Sequence, residues 1–263
     1  MPIPYVPPEI LDYIINFLHD ERETLMECCL ASKSWVPRIR RKLFAEIKIR
    51  SKRDLKLWKK VFPDVANSPA CHVRTLFVGC LECVVESDAG EGGWIRAFSS
   101  VDRLDVDNDL VHLDTSTFPL TPFHGFSSTL KSLRVGPLIF LSPQFFHLVR
   151  SSPLLEDLTV KGRDESSIFN NYPHQLPPDV PLTSPPLTGS LDLNIHGGMG
   201  NTVRRLLDLP NGLRFRKLKL SWNVKKDLQW IMVLVEGTSQ TIELLHITCS
   251  LGGTSICHPQ SHR

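Results

Sequence analysis

The chain has 263 residues, 41% of them hydrophobic, and 30 Lys and Arg against 28 Asp and Glu, a formal net charge of +2. That apolar content supports a sizeable core and excludes a disordered chain, while so small a net charge makes no global case for a nucleic-acid or membrane protein. Seven unevenly spaced cysteines in a chain this large do not read as a disulfide framework, and they point to a reducing compartment.

The first apolar segment is interrupted by Glu9 and Asp12, so it does not read as a signal peptide. No run approaches about 18 uncharged apolar residues, and no Asn-x-Ser/Thr acceptor occurs. The expectation is a soluble protein of the cytoplasm, the nucleus or both, with no membrane partner.

In chain order, Pro7 and Pro8 can open a helix, because the first helical positions have no internal acceptor for their N–H groups, and Glu9 suits the positive end of the dipole. Ile10, Leu11, Ile14, Ile15 and Leu18 then make a broad apolar stripe. After the polar break "HDERE", Thr24 to Ala31 forms a second short helical pattern with Leu25, Cys28 and Cys29 facing inward. Ser32 or Ser34 can cap a third, in which Trp35, Ile39 and Leu43 share a face. Three helices in about 45 residues cannot bury that much apolar surface alone, so either the rest of the chain or a partner covers the remainder.

"VPPEILDYIINFL", followed by "CCLASKSW" and "LFAEI", resembles the F-box, the helical motif by which substrate receptors attach to a Skp-type adaptor in SCF ubiquitin ligases. The match covers roughly residues 5–46. The resemblance implies an F-box-like helical module over residues 1–50, with Pro7, Ile10, Leu11, Ile14, Leu18, Leu30 and Trp35 as adaptor-facing or motif-defining residues. Val6 stands where the motif usually has Leu, and Ser32 where it often has Cys or another small apolar residue.

A basic block follows. From Arg38 to Lys60 there are 11 basic and 2 acidic side chains, an excess of +9. Clustered cations with Trp58 and Phe62 nearby could grip phosphates and stack on bases. A solvated helix face with Leu55, Trp58 and Val61 turned inward accounts for the same letters and is the preferred reading, so nucleic acid is not an expected partner. Residues 51–70 are read as a basic linker or first repeat helix.

The remainder is repetitive. The pattern apolar-x-x-Leu-x-apolar returns as "VRTLFV" (73–78), "VDRLDV" (101–106), "LKSLRV" (130–135), "LEDLTV" (155–160), "FRKLKL" (215–220) and "IELLHI" (242–247), with a looser "LTGSLDLNI" at 187–195. The central leucines Leu76, Leu104, Leu133 and Leu158 are 28, 29 and 25 residues apart, and Leu193, Leu218 and Leu245 are 25 and 27 apart. Those intervals fit leucine-rich repeats. Alternate side chains of a strand share a face, so each unit buries one apolar side only when neighbours stack on it.

Helices are expected between strands at "WIRAFSS" after residue 93, at 143–152, 201–209 and 227–237, with Phe145, Phe146, Val149, Ile231, Leu234 and Val235 inward. Residues 163–189 contain six prolines and read as a long exposed loop. The tail 251–263 has no periodicity. This stretch resembles the irregular leucine-rich-repeat-like regions that follow F-boxes in many fungal proteins, over about residues 70–250. The predicted fold is therefore α/β: a three-helix module, then an irregular leucine-rich-repeat-like solenoid with a parallel sheet.

Three clusters could carry chemistry instead. Cys71, His72, Cys80 and Cys83 include a zinc-like C-x-x-C pair, but a repeat strand lies between the halves. "HGGMGN" at 196–201 follows a strand and precedes a helix, yet Val203 stands where a dinucleotide fingerprint needs Gly or Ala, and no Gly-x-Ser-x-Gly elbow exists. "AGEGGW" at 89–94 lacks the Gly-Lys-Ser/Thr ending of a phosphate loop. No catalytic residue, metal or cofactor is assigned, and the chain is read as a non-enzyme.

The implied function is that of a substrate receptor in an SCF-type ubiquitin ligase. Its partners would be a Skp-type adaptor, a cullin scaffold and an unknown target protein; a repeat scaffold with no ligase role is the alternative. Target contacts are expected at the outward strand positions Phe77, Asp105, Arg134, Thr159, Lys219 and His246.

Overall fold

The computed structural model describes residues 6–18, 21–65, 67–79, 94–107, 121–138, 143–163, 185–196, 200–209, 211–222 and 228–249. Three short helices come first: α1 (Pro8–Phe17), α2 (Arg22–Ala31) and α3 (Val36–Leu43). Pro7 and Pro8 open α1 as expected, with Glu9 in its first turn. Neither Ser32 nor Ser34 caps α3. The N-cap is Trp35, already in helical φ/ψ with no side-chain cap, and the two serine hydroxyls instead bond each other at 2.8 Å.

Eight strands follow, β1 (Glu46–Ile49), β2 (Thr75–Val78), β3 (Arg103–Asp107), β4 (Ser132–Leu138), β5 (Asp157–Arg163), β6 (Ser190–His196), β7 (Lys217–Trp222) and β8 (Leu244–Cys249). They form one all-parallel sheet in sequence order. The repeat reading anticipates seven of them. The extra strand, β1, lies inside the segment assigned to the helical module.

The register explains why the repeats have their letters. One inward row runs Ile47, Leu76, Leu104, Leu133, Leu158, Leu191, Leu218, Leu245, and the next runs Ile49, Val78, Val106, Val135, Val160, Leu193, Leu220, Ile247. Every position in both rows is aliphatic, because parallel strands covered by crossover segments bury that face; only on the last strand, β8, are the row members Leu245 and Ile247 exposed. The sixth repeat is thus centred on Leu191, which pairs with Leu158 and Leu218, and not on Leu193 as the sequence spacing suggested.

Helices and 3-10 turns cover these rows. They are α4 (Lys52–Val61), α5 (Pro143–Ser151), α6 (Gly200–Leu207) and α7 (Leu228–Thr238), with 3-10 turns at Pro69–His72, Trp94–Ala97 and Thr121–Phe126. Three of the four expected inter-strand helices form as α-helices; "WIRAFSS" shortens to a 3-10 turn. Phe98, Phe123, Phe126, Phe145, Phe215, Ile231 and Leu234 pack with the strand rows in one continuous core.

A capping box begins α4. Ser51 Oγ accepts the Asp54 N–H, and Asp54 Oδ2 accepts the Ser51 N–H. Leu55 is buried and Trp58 packs on the core, but Val61, expected inward, is exposed. Phe62 takes its place, stacking on Trp58 with ring centroids 4.7 Å apart.

Six of the seven strand junctions share one device. A carbonyl just ahead of a strand accepts two successive N–H groups from the next repeat: Ala45 O from Arg74 and Thr75, Arg74 O from Asp102 and Arg103, and likewise at Asp102, Lys131, Gly189 and Arg216. The β5 to β6 junction, which spans the proline-rich insertion, departs from this. There Leu155 O accepts Leu187 N–H and Glu156 O accepts Gly189 N–H, while Asp157 Oδ1 takes both the N–H and the hydroxyl of Ser190 at 2.7 Å.

Residues 164–184 of the expected loop lie outside the described residues. Arg163 still belongs to β5, and Pro185 and Leu187 at the far end are buried, so these flanks are not exposed loop. Leu187 holds φ at +44°, a conformation that costs a non-glycine residue on the order of 1 kcal/mol, offset by complete burial of its side chain. Truncation removes the compensation and leaves the strain. Leu187→Ala is expected to lower stability by about 2–4 kcal/mol in urea unfolding, with the secondary structure of the folded state unchanged.

Candidate functional site

Two surfaces stand apart from the core. The first is on the opening helices. Leu11, Ile15, Leu25 and Ile39 form a small separate core, supported by Leu18, Cys28, Cys29, Trp35 and Leu43. Arg38 Nε donates to Asp12 Oδ1 at 2.7 Å, tying α3 to α1, and α3 also packs on the turn Pro69–His72. So few buried residues cannot use all the apolar side chains present. Ile10 is 52% exposed, Phe17 77% and Leu30 88%, and Tyr13 and Met26 are also largely open to solvent.

The seven residues implicated by the F-box resemblance therefore separate. Leu11 belongs to the small core, Leu18 and Trp35 support it, and Ile14 is half-buried. Pro7, Ile10 and Leu30 are exposed, and Tyr13, Phe17 and Met26, which the motif did not single out, join them. Their signal in the sequence was simply that the apolar letters exceed the stripe a single helix can bury.

The second surface is the uncovered face of the sheet. Phe77, Asp105, Arg134, Thr159, Lys219 and His246, picked separately from six repeats, fall in a single cross-strand row that Lys48 begins and Asp192 completes: Lys48, Phe77, Asp105, Arg134, Thr159, Asp192, Lys219, His246. Lys48 was missed with β1 itself. Asp192 was missed because the sixth repeat was centred two residues late.

Charge alternates along this row. Arg134 Nε lies 3.6 Å from Asp105 Oδ2, and Lys219 Nζ donates to Asp192 Oδ2 at 3.1 Å. Burial pushes the Asp105 carboxyl above the usual carboxylate range, against the opposing pull of Arg134, Arg103 and Lys161. The other Asp192 oxygen, Oδ1, is buried without a hydrogen-bond partner among the described residues. His246 Nε2 and Thr248 Oγ1 stand 3.0 Å apart at the far end.

The sequence-suggested chemical clusters do not assemble among the described residues. Cys71 and His72 sit side by side on a 3-10 turn, Sγ to Nδ1 3.6 Å, while Cys80 and Cys83 lie outside the described residues. No group of three or more His, Cys, Asp or Glu among the described residues is placed to hold a metal. Of "HGGMGN", residues 197–199 lie outside the described residues. Gly200 has a packing reason, since an added Cβ would stand 2.5 Å from Trp230 Nε1. Of "AGEGGW", only Trp94 is described, and it is buried.

A half-buried histidine pair has no signature in the sequence, because His124 and His147 belong to different repeats. Ser151 Oγ donates to Leu148 O at 3.1 Å and so accepts Nδ1–H of His124 at 3.1 Å. That leaves His124 Nε2 to accept Nδ1–H of His147 at 3.0 Å. In this chain His124 carries its proton on Nδ1 with Nε2 unprotonated, and His147 carries one on Nδ1. Burial, and secondarily the neighbouring His147, lowers the His124 pKa to about 4, and burial also lowers that of His147.

No protein-family model, curated protein or solved structure matches the chain significantly. Among the described residues no helix is long and apolar enough to cross a membrane.

The histidine pair fixes a direction for acid stability. As pH falls, the unfolded chain protonates His124 near 6.5 while the folded chain resists until about 4, so stability is full above 6.5 and declines between those values. Urea unfolding across that range is expected to show this decline. His124→Gln, which keeps a donor and an acceptor and cannot titrate, should reduce the slope.

Proposed function

We propose that the chain is the substrate receptor of an SCF-type ubiquitin ligase: an F-box-like module docks on a Skp-type adaptor, and a leucine-rich-repeat-like solenoid holds a target protein. The observation that carries this reading is the apolar surface around Ile10, Phe17 and Leu30, left open by helices that already possess their own core. Apolar side chains so exposed on adjacent short helices fit a helical docking partner. The sequence pattern of those helices resembles the motif that binds such an adaptor.

The receptor half rests on the uncovered sheet face. A row of eight side chains, contributed by eight strands and free of any core duty, can vary without disturbing the fold. Alternating Asp, Arg, Asp and Lys would discriminate among partners by charge complementarity more than by raw affinity. The chain would itself do no chemistry. Its contribution would be effective concentration, holding target lysines near a ubiquitin-charged enzyme that the cullin scaffold brings.

A second reading has its own support. Because α3 packs on the turn Pro69–His72, the helices also close the start of the sheet, as the cap of a repeat scaffold would. Co-purification with a Skp-type adaptor separates the two. On the ligase reading the wild-type chain binds stably, and Ile10→Asp with Leu30→Asp abolishes binding without lowering the melting temperature, since both side chains are exposed. Leu11→Asp would lose the fold of the module as well. A wild-type chain that does not bind the adaptor would favour the cap.

A further inference from the structure

Strand β1 lies at the edge of the sheet, and among the described residues one of its sides is unpaired. Ala45 and Ile49 direct their carbonyls to β2, accepting Thr75 N–H at 2.9 Å and Gly79 N–H at 2.8 Å. Carbonyls alternate along a strand, so Glu46 and Lys48 turn their N–H and C=O groups to the free side. The next donor on that side, the Arg50 N–H, is already taken by Asp54 Oδ2 at 2.9 Å. Two residues of open β edge remain, and no described residue pairs with them.

That edge lies in a cleft of about 850 Å³ between α2 and the end of α3 on one side and α4 on the other. Its apolar lining includes Leu57 and Val61, both exposed, together with Trp58 and Phe62. Its ionic lining is unbalanced. Glu46 is engaged by Lys48 at 2.7 Å, and Asp54 by the Arg50 and Ser51 amides. The cations Arg22 and Lys42 are exposed and have no ion-pair partner among the described residues. The surrounding segment, Arg38 to Lys60, carries an excess of +9.

We propose that this cleft is a second docking site, which takes an extended acidic segment of a partner protein as a ninth strand on the free edge of β1. Main-chain pairing to Glu46 and Lys48 supplies the anchor, apolar side chains of the segment rest on Leu57 and Val61, and its carboxylates meet Arg22 and Lys42. An exposed edge with open backbone groups is otherwise a liability that proteins cover or charge. The site adjoins the outward row at Lys48 but uses none of the apolar side chains Ile10, Phe17 and Leu30, so it does not depend on the ligase reading.

The test uses the full chain and a fluorescent, end-capped peptide of about seven residues alternating valine and glutamate, followed by anisotropy. Saturable binding is expected, weakened roughly tenfold or more by Arg22→Glu with Lys42→Glu, and lost with Val61→Glu, each variant melting like wild type. N-methylation of alternate peptide amides should separate two sets, one abolishing binding and the other tolerated, because only every second amide faces β1.

A valine and lysine peptide that binds equally well would overturn the proposal. So would binding indifferent to which amides are methylated, or no binding of the acidic peptide at all. A single-stranded oligonucleotide that displaces the peptide and binds more tightly would reassign the cations to nucleic acid. Concentration-dependent dimers broken by Val61→Glu would identify a second copy of the chain as the occupant.

Discussion

The sheet depends on one repeated constraint, the carbonyl ahead of each strand that receives two N–H groups from the following repeat. Ala45, Arg74, Asp102, Lys131, Gly189 and Arg216 each do this. A shift of one residue would carry an entire strand's aliphatic side chains to the wrong face, so a junction that admits a single register protects the core as effectively as the core itself. Where the long insertion interrupts the rhythm, the backbone alone no longer suffices. The Asp157 carboxylate replaces the shared carbonyl, and Leu187 accepts a positive φ to return the chain to register.

Once register is fixed by backbone and inner rows, the outer row is released from structural duty. That explains how Phe77, Asp105, Arg134, Thr159, Asp192, Lys219 and His246 can stand in one line with no common chemistry. The opening helices show the opposite relation between fold and surface. Their core of Leu11, Ile15, Leu25 and Ile39 is small, and what it leaves outside is apolar. Along the outer row of the sheet the side chains left over are mostly polar, whereas on the helices they are apolar.

Much of this was legible in the sequence, for a physical reason. A period of two within each strand and a spacing of 25 to 29 residues between strands are both imposed by burial, and burial leaves its mark in aliphatic letters. The failures occur where that mark is faint or ambiguous. "EIKI" is four residues long between two helices, too short to separate from a helical pattern, so β1 and with it Lys48 were lost. "LDL" offers a leucine at both inward rows, so the sixth repeat was centred on Leu193 and Asp192 dropped out. In α4 the choice between Val61 and Phe62 turned on the aromatic contact with Trp58, which no periodicity encodes. The pairing of His124 with His147 could not be read at all, because it joins two repeats whose relative rotation only the fold determines.

A receptor that works by proximity needs its two docking surfaces held at a fixed separation, and the packing at the start of the sheet bears on that requirement. The helices do not hang from a linker. β1 follows α3 after two residues, and α3 rests on the Pro69–His72 turn that leads into β2. Phe44 at the end of α3 meets Trp58 and Phe62 edge-on, and Trp58 in turn stacks near Phe98 of the main core, ring centroids 5.5 Å apart. This aromatic chain runs from the helical module into the first repeats without an intervening flexible segment. A tether would spread the target over a large volume and dilute the effective concentration that the proposed mechanism relies on, whereas a packed junction confines it. The same junction creates the cleft beside β1, so rigidity between the two surfaces and an open strand edge arise from one arrangement of α2, α3 and α4 around a single four-residue strand.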